Sequence, residues 1–212
     1  MSGEPVTPTH LDLRPDLALP VAFYARPVDQ VAVDLLGAIV VSTVDGMVAG
    51  TIVETEAYGG ADDPASHAAF RRTGVVRQMW GDPGRLYIYR AYGVYPCLNV
   101  VTGSTGELSA VLIRAVNPIW GIDVIAERLG KPVGPRMMSG PGLTGRALGL
   151  SLADNGRRLD EPPIWIQPAV TPSAVRRGPR IGVRRATDTR WRFGVADHPA
   201  LSPPFPGESA NL

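Results

Sequence analysis

Residues 38–55 have the sequence AIVVSTVDGMVAGTIVET, the clearest structural signal in the chain. Two apolar runs rich in β-branched residues, Ala38 to Val44 and Met47 to Thr55, flank the pair Asp45-Gly46. An Asp-Gly pair between two such runs predicts an antiparallel hairpin closed by a two-residue turn. We therefore expect an antiparallel pair of strands at the centre of the fold.

Outward from this hairpin, short apolar runs predict more strands and a few helices. A helix is expected to begin with Pro27 at its first position and to end at Gly37, whereas residues 59–85 have no sustained period and predict a loop. The other predicted strands are Leu86–Tyr92, Leu98–Thr102, Val111–Val116, Ile164–Gln167, Ile181–Val183 and Trp191–Val195, and the other predicted helices are Gly121–Leu129 and Leu143–Leu150. Strands in the middle, helices at the flanks and no regular βαβ alternation favour an α+β fold with a mainly antiparallel sheet.

Length and composition limit the class of protein. A chain of 212 residues with 44% hydrophobic and 19% charged residues suits one globular domain. We expect a proline-rich tail at 1–20, a domain at 21–200 and a second tail at 201–212. The single Cys97 excludes a disulfide framework, no Cys/His cluster has zinc spacing, and no apolar run approaches the roughly 18 residues of a membrane helix. We therefore expect a cytoplasmic protein with no membrane partner, no metal and no cofactor.

The formal net charge of +1 conceals an asymmetry along the chain. Residues 1–66 hold ten acidic side chains and only Arg14 and Arg26, whereas residues 67–212 hold ten acidic and nineteen basic side chains. Such a division indicates a polyanionic partner for the basic part. Twenty of the 21 basic residues are arginine, which suits phosphate contact but is also what GC-rich coding produces.

Two carboxylates lie on an otherwise apolar predicted strand. Side chains alternate along a strand, so Glu54, Glu56 and Tyr58 are expected to share one face with Ile52. These carboxylates could lie on a solvated face or form a structural salt bridge. However, Arg114 lies in another strand too apolar for a surface edge, and a buried arginine beside a buried glutamate would hold that glutamate ionised. An ionised carboxylate held in this way can act as a base towards water.

Four of the six tyrosines fall within residues 86–95, of sequence LYIYRAYGVY. Tyr87 and Tyr89 alternate in phase, and Tyr92-Gly93 predicts a turn that presents an aromatic ring. Core packing explains strand tyrosines equally well. Exposed aromatic rings among arginines also suit base stacking with phosphate neutralisation. Two stretches supply such arginines, the first with Arg71, Arg72, Arg77, Arg85 and Arg90 and the second with Arg176, Arg177, Arg180, Arg184, Arg185, Arg190 and Arg192.

Several short motifs occur in an order that resembles the alkyladenine (3-methyladenine) DNA glycosylases. The motifs are Val53-Glu54-Thr55-Glu56-Ala57-Tyr58 followed by His67, the segment Gly84 to Asn99, Leu112-Ile113-Arg114-Ala115, and Ser139-Gly140-Pro141-Gly142. Each motif alone is weak, but the order and spacing agree over roughly residues 25–195. The resemblance implies a single compact α+β domain around a curved antiparallel sheet.

The resemblance also implies roles for individual residues. Glu56 matches the general base, and Arg114 matches the arginine that helps to hold the attacking water. Tyr58, His67 and Tyr89 match residues that sandwich and contact a flipped base. Asn99 matches a pocket amide that clashes with the 2-amino group of guanine, and Tyr92 matches the side chain that intercalates into the duplex. Two departures, at Thr73-Gly74-Val75-Val76 and at Leu143, concern DNA positioning rather than the base pocket.

The implied activity is that of a DNA glycosylase of base excision repair acting on damaged double-stranded DNA. Its substrates would be 3-methyladenine and 7-methylguanine, with hypoxanthine or ethenoadenine as further candidates. Because Lys131 is the only lysine and follows a predicted surface helix, a Schiff-base mechanism is disfavoured and a monofunctional enzyme is expected. We also expect a monomer. Two alternatives remain: a non-catalytic nucleic-acid-binding module, and a small-molecule hydrolase that uses Glu54 and Glu56 as a carboxylate pair.

Overall fold

The sheet is built around one long strand pair. The computed structural model describes residues 11–70, 73–203 and 205, with only the backbone of Val75. The strands are β1 Ile39–Ser42, β2 Val48–Tyr58, β3 Leu86–Ala91, β4 Tyr95–Thr102, β5 Ser109–Trp120, β6 Asp160–Glu161, β7 Ile164–Gln167, β8 Val175–Gly178 and β9 Arg192–Val195. The helices are α1 Val21–Tyr24, α2 Val28–Asp34, α3 Ile122–Leu129 and α4 Pro141–Ala147.

The pairing of these strands confirms the α+β fold with a curved, mainly antiparallel sheet. The strand order is β3-β4-β5-β2-β1-β7-β6, and every strand pair is antiparallel. One edge of β2 pairs with β5, whereas the other edge pairs first with β1 and then with β9, which also pairs with β8. The sheet curls into a half-barrel, and the main core cluster joins it to residues of all four helices.

The predicted central hairpin is present, but its turn is longer than predicted. Ser42 pairs with Val48, so five residues rather than two connect β1 and β2. Other partners draw the intervening residues away from the ladder. The Thr43 N–H donates to the Pro163 carbonyl and the Val44 N–H donates to the Ser42 hydroxyl. Asp45 and Gly46 both have positive φ, as a tight reversal requires.

A β-bulge in β2 sets the direction of the acidic side chains. Ile52 pairs with Val116 and Glu54 with Ala115, so Val53 is an extra residue on the β2 side. Thr55 donates its hydroxyl hydrogen to the Ala32 carbonyl of α2, so Glu54 and Glu56 project from the face away from α2. Ile52 belongs to the main core cluster. The expectation that Ile52 shares a face with the two glutamates is therefore wrong, because the bulge interrupts the alternation.

Most of the remaining predicted elements are found with shifted ends. Pro27 caps α2 instead of opening it, and α4 begins at Pro141, two residues before the predicted start. The predicted strand Ile181–Val183 is wrong, because the Ile181 N–H bonds a side chain and Gly182 has a φ of +76°. The strand in this region is instead β8.

Both segments predicted as tails contain residues that pack against the domain. Leu19 and Leu201 are buried, and the Gln167 side chain donates to the Asp12 carbonyl. The parts of these segments at 1–10, 204 and 206–212 lie outside the described residues. Among the described helices, none has the length and apolar character needed to span a membrane.

Candidate active site

Glu56 is a fully buried carboxylate surrounded by donors from three parts of the chain. Its Oε2 accepts the Tyr58 hydroxyl hydrogen at 2.7 Å and lies 3.4 Å from Nη1 of Arg114. Its Oε1 accepts the backbone N–H of Ile181 at 2.7 Å. Tyr58 is two residues away on β2, and Arg114 comes from the neighbouring strand β5, where Leu112 is the pairing partner of Glu56. The predicted Glu56–Arg114 pair is therefore present.

Burial raises the pKa of Glu56 above its usual value. The charge of Arg114 and the hydrogen bonds from Ile181 and Tyr58 lower the pKa again, but they do not cancel the effect of burial. A carboxylate with a raised pKa is a stronger base than an ordinary glutamate once it is ionised. The same burial, with Glu56 beside it, raises the pKa of Tyr58, which keeps its phenol protonated as a donor.

Glu54 is also fully buried, but its oxygens are already occupied. Oε1 accepts from Nε of Arg192 at 2.7 Å, from the Ser202 hydroxyl at 2.7 Å and from Nε of Arg114 at 3.3 Å. Oε2 accepts the Ser202 N–H at 2.6 Å. A Glu54–Glu56 carboxylate pair acting on a small molecule therefore loses its support, because Glu54 is committed to this network.

A second buried ion pair lies behind Tyr58. Arg180 contacts Asp63 through two hydrogen bonds of 2.5 and 2.9 Å and donates to the Ala57 carbonyl at 3.0 Å. Its guanidinium carbon lies 4.9 Å from the centroid of the Tyr58 ring, over the ring face. Arg180 thus supports one face of Tyr58 and directly precedes Ile181, whose N–H reaches Glu56.

Three predicted base-contacting residues are close to one another and to Glu56. The His67 ring packs edge-on against Tyr89 at 4.7 Å between centroids, and its Nδ1 lies 2.7 Å from the Tyr87 hydroxyl. Tyr87 and Tyr89 lie on the same side of β3 with centroids 5.8 Å apart. Tyr87 is buried, as core packing predicts, whereas His67, Tyr58 and Tyr89 are half-buried. The half-buried rings are the ones that can contact a ligand.

The Asn99 side chain is held by backbone carbonyls. Its Nδ2 donates to the Tyr87 carbonyl at 3.0 Å and to the Cys97 carbonyl at 3.1 Å. Two carbonyl acceptors require the amino end of the amide to face them. The strand interior thus tolerates this asparagine because its amide meets specific partners.

Tyr92 lies at the tip of the β3–β4 hairpin, as predicted. Ala91 pairs with Tyr95, and between them Tyr92 and Gly93 have φ values of 53° and 74°. A positive φ is unfavourable for a bulky residue such as tyrosine. The Tyr92 side chain is 95% exposed, so its packing within the protein does not compensate for that conformation.

The arginines of the two predicted DNA-contacting stretches divide into buried and exposed groups, except for Arg85, which is half-buried and donates to the Gly156 carbonyl. Arg180 and Arg192 are buried in ion pairs with Asp63 and Glu54, so the expectation that the whole second stretch faces DNA is wrong for these two. Arg71 and Arg72 lie outside the described residues. The exposed members are Arg77, Arg90, Arg176, Arg177, Arg184, Arg185 and Arg190.

Sequence reasoning missed several residues that build this site. Arg192 carries the same signal as Arg114, a single charge within an apolar strand, and could have been found in this way. Asp63 and Arg180 have no comparable local signal, and Ser202 lies in a segment predicted as a tail. Within the described residues, no group of His, Cys, Asp and Glu is arranged to hold a metal ion.

Comparisons with known proteins identify the family of this chain. Residues 22–199 match the model of the family described as methylpurine-DNA glycosylase. Three relatives have names that assign them provisionally as 3-methyladenine DNA glycosylases. A Rhodopseudomonas palustris protein is 44% identical over 184 residues, which cover 87% of each chain. A Frankia casuarinae protein is 44% identical over 88% of this chain and 92% of its own, and a Nitrosospira multiformis protein is 44% identical over 87% and 93%.

These matches define the class of protein as a DNA glycosylase, an enzyme of DNA base excision repair. The chain belongs to the methylpurine-DNA glycosylase family.

Proposed function

We propose that this enzyme is a monofunctional glycosylase that flips damaged purines out of duplex DNA and hydrolyses the N-glycosidic bond with water activated by Glu56. Its substrates are 3-methyladenine and 7-methylguanine, extending to hypoxanthine or ethenoadenine. It acts as a monomer in the cytoplasm, on the DNA of the nucleoid. The observation that carries the proposal is the buried Glu56 carboxylate beside Arg114, next to the half-buried rings of Tyr58, His67 and Tyr89.

The contacts of Glu56 leave it able to bind a water molecule. An ionised carboxylate has about four acceptor positions; the Tyr58 hydroxyl and the Ile181 N–H occupy two of them, and Nη1 of Arg114 approaches Oε2 at 3.4 Å. A water bound to the remaining lone pairs would lose its proton to Glu56 as it attacks the sugar. The carboxylate charge also stabilises the oxocarbenium character that the sugar gains as the glycosidic bond lengthens.

The aromatic rings supply recognition of the extruded base. Contacts between bases and aromatic rings are worth roughly 1–3 kcal/mol each by alanine substitution. Electron-rich ring faces favour a cationic alkylated purine, whose positive charge already makes it a good leaving group. Arg180 covers one face of Tyr58, so the base contacts the other face. Asn99, held by two carbonyls, would exclude guanine through its 2-amino group.

Tyr92 would fill the space that the flipped nucleotide leaves. Extrusion costs a few kcal/mol, and an inserted side chain opposes the return of the base. The exposed ring and the positive φ at the hairpin tip support this role, because neither feature contributes to packing within the protein.

The position of the only lysine supports a monofunctional reaction that leaves an intact abasic site. Arg128 of α3 donates to the Val44 and Gly46 carbonyls, so the end of this helix lies at the β1–β2 loop. Lys131 follows directly and is exposed. Glu56 lies eight residues further along β2 than Val48, or about 26 Å at the usual rise of a strand. A lysine at that end of the sheet is too far away to form a Schiff base at the sugar.

Excision by a Glu56→Gln variant tests the proposal. Duplexes that contain 3-methyladenine or hypoxanthine are incubated under single-turnover conditions, and abasic sites are revealed by alkali cleavage. The variant keeps the shape of the side chain but cannot accept the water proton. We expect excision to disappear while binding to lesion-containing DNA persists.

A matched control is Glu161→Gln, the same substitution at an exposed position of β6, which should excise like the wild type. A Glu56→Gln rate within about tenfold of the wild type, a loss of only about 1.4 kcal/mol in transition-state stabilisation, would rule out Glu56 as the base. Wild-type chain that binds such duplexes but releases no base would instead identify a non-catalytic binding module.

A further inference from the structure

The buried carboxylate of Glu54 has no part in the proposed proton transfer, yet it lies at the centre of the site. Its two oxygens accept from Arg114, Arg192 and both donors of Ser202. Ser202 is separated from Glu54 by 148 positions along the chain. A long-range contact of this kind links the segment after β9 to the strand that carries Glu56.

The segment that carries Ser202 is anchored on several sides. Ser139 donates its hydroxyl hydrogen to the Leu201 carbonyl at 2.9 Å, and Arg192 donates to the Pro203 carbonyl. The Arg192 guanidinium also lies 3.9 Å from the centroid of the Phe205 ring. Leu201, Ser202 and Phe205 are all buried. These contacts define the C-terminal strap, residues 200–203 and 205, as part of the folded site.

We propose that Glu54 and Ser202 are positioning residues that aim Arg114 at Glu56, so that the C-terminal strap is a required part of the active site. This inference rests on the proposed function, in which Glu56 is the base. Ser202 contributes two donors to Glu54, and its Oγ also lies 3.4 and 3.3 Å from Nε and Nη2 of Arg114.

The geometry of arginine explains how this aim is achieved. The guanidinium group is planar and rigid, so fixing one edge fixes the direction of the other. The edge formed by Nε and Nη2 faces Glu54 and Ser202, whereas Nη1 points to Oε2 of Glu56 at 3.4 Å. Four buried charges, two carboxylates and two arginines, thereby balance one another. Loss of the Ser202 hydroxyl would remove one of the two partners that hold the edge of Arg114 facing away from Glu56, and would leave only Glu54 there.

A merely structural role predicts a different result from a positioning role. The charge of Arg114 lowers the pKa of Glu56 against the effect of burial. If Arg114 loses its orientation, the pKa of Glu56 rises and the fraction of ionised base at a given acidic pH falls. The acid limb of the rate profile then moves to higher pH. A purely structural contact would lower the melting temperature and leave the acid limb in place.

The test is Ser202→Ala, measured as the single-turnover excision rate against pH together with the melting temperature. Ser42→Ala is the matched control. Ser42 lies on β1, whose pairing with β2 ends at Thr51, and it is also buried and donates its hydroxyl hydrogen to the Leu148 carbonyl. We expect Ser202→Ala to excise about tenfold more slowly at neutral pH, as for a lost buried hydrogen bond, and to shift the acid limb upward. Ser42→Ala should lose stability only.

Glu54→Gln provides a second measurement, because it keeps the shape of the side chain but removes the charge that holds Arg114. Its excision rate should fall more than that of Ser202→Ala. The inference would be overturned if Ser202→Ala excised at the wild-type rate with the acid limb of its pH profile unmoved. It would also be overturned if Glu54→Gln excised at the wild-type rate. If Glu56→Gln keeps excising, the proposed function itself fails. If Glu56→Gln is inactive and Ser202→Ala behaves like Ser42→Ala, only the positioning role fails.

Discussion

Single arginines in this protein have different roles according to their burial. Arg114, Arg180 and Arg192 are buried and paired with carboxylates, whereas Arg184 and Arg185 are exposed. A buried charge is stable only with a partner and with its hydrogen bonds satisfied. The buried arginines therefore depend on specific acidic residues, and the exposed ones remain available to a polyanion.

The Asp63–Arg180 pair gives a prediction at this scale. Asp63→Asn removes the charge that compensates the buried Arg180 guanidinium, and breaking a buried pair in this way typically costs about 3–5 kcal/mol of unfolding free energy. Urea unfolding at neutral pH measures the loss. Asp197→Asn is the control, because Asp197 belongs to the exposed pair with Arg176 and should cost about 1 kcal/mol or less. Equal losses in the two variants would show that Arg180 does not depend on Asp63.

The stability that the Asp63–Arg180 pair contributes depends on pH, and the shift in the pKa of Asp63 gives the sign. Burial alone would raise the pKa of Asp63, but hydrogen bonds from Arg180, Gly59 and Ala65 outweigh it and lower the pKa. A lowered folded-state pKa contributes stability above the unfolded value of about 3.9, and this contribution is lost as the pH falls through the folded-state value. The free energy of unfolding of Asp63→Asn, measured in urea, should therefore differ less from that of the wild type in acid than at neutral pH.

At the scale of elements, a bulge and a hairpin tip determine the direction of the two buried carboxylates and the exposure of Tyr92. The bulge at Val53 turns Glu54 and Glu56 away from α2. It lies where the edge partner of β2 changes from β1 to β9. The β3–β4 hairpin holds Tyr92 exposed at its tip. These two irregularities set the direction of the carboxylates and the exposure of the Tyr92 ring.

Tyr92→Ala tests the role of the hairpin tip. If the ring fills the gap left by the extruded nucleotide, its loss should shift the flipping equilibrium back towards the stacked state. We expect the largest defect in single-turnover excision for a lesion that is well paired, and a smaller defect for the same lesion when it is mispaired.

Trp120→Ala is the control, because Trp120 is an exposed aromatic residue outside the β3–β4 hairpin, at the end of the β2–β5 pair that is far from Tyr58. Its ratio of paired to mispaired rates should equal that of the wild type. Equal defects of Tyr92→Ala in both contexts, with a clear fall in melting temperature, would reject the wedge and favour a packing role.

At the scale of the whole molecule, the uneven distribution of charge predicts salt-sensitive binding. Each phosphate that an arginine neutralises on duplex DNA adds about 0.9 to the log–log salt slope of the binding constant. The double variant Arg184→Gln and Arg185→Gln should therefore lower the slope on undamaged duplex by up to about 1.8. Arg14→Gln, at an exposed arginine in the acidic part of the chain, should leave the slope unchanged. A wild-type slope near zero would show that the exposed arginines do not contact phosphate.

The sequence by itself determined which elements exist and which of them are unusual. Alternating apolar residues and turn signals were enough for the α+β class, for the central hairpin and for the exposed turn at Tyr92. A charge in an apolar strand was enough to single out Glu54, Glu56 and Arg114, and the family resemblance then distinguished Glu56 from Glu54. These signals are local, because they depend on the preferences of neighbouring residues within one element.

Only the tertiary structure decided how those elements meet. Ser202 reaches Glu54 across 148 positions and Arg180 reaches Asp63 across 117, and no local pattern encodes either contact. The bulge at Val53, the five-residue β1–β2 loop and the absence of a strand at Ile181–Val183 each follow from hydrogen bonds to distant partners. Such bonds form when buried polar groups must find donors and acceptors in the assembled core, and the partner available to each group depends on the packing of the whole chain.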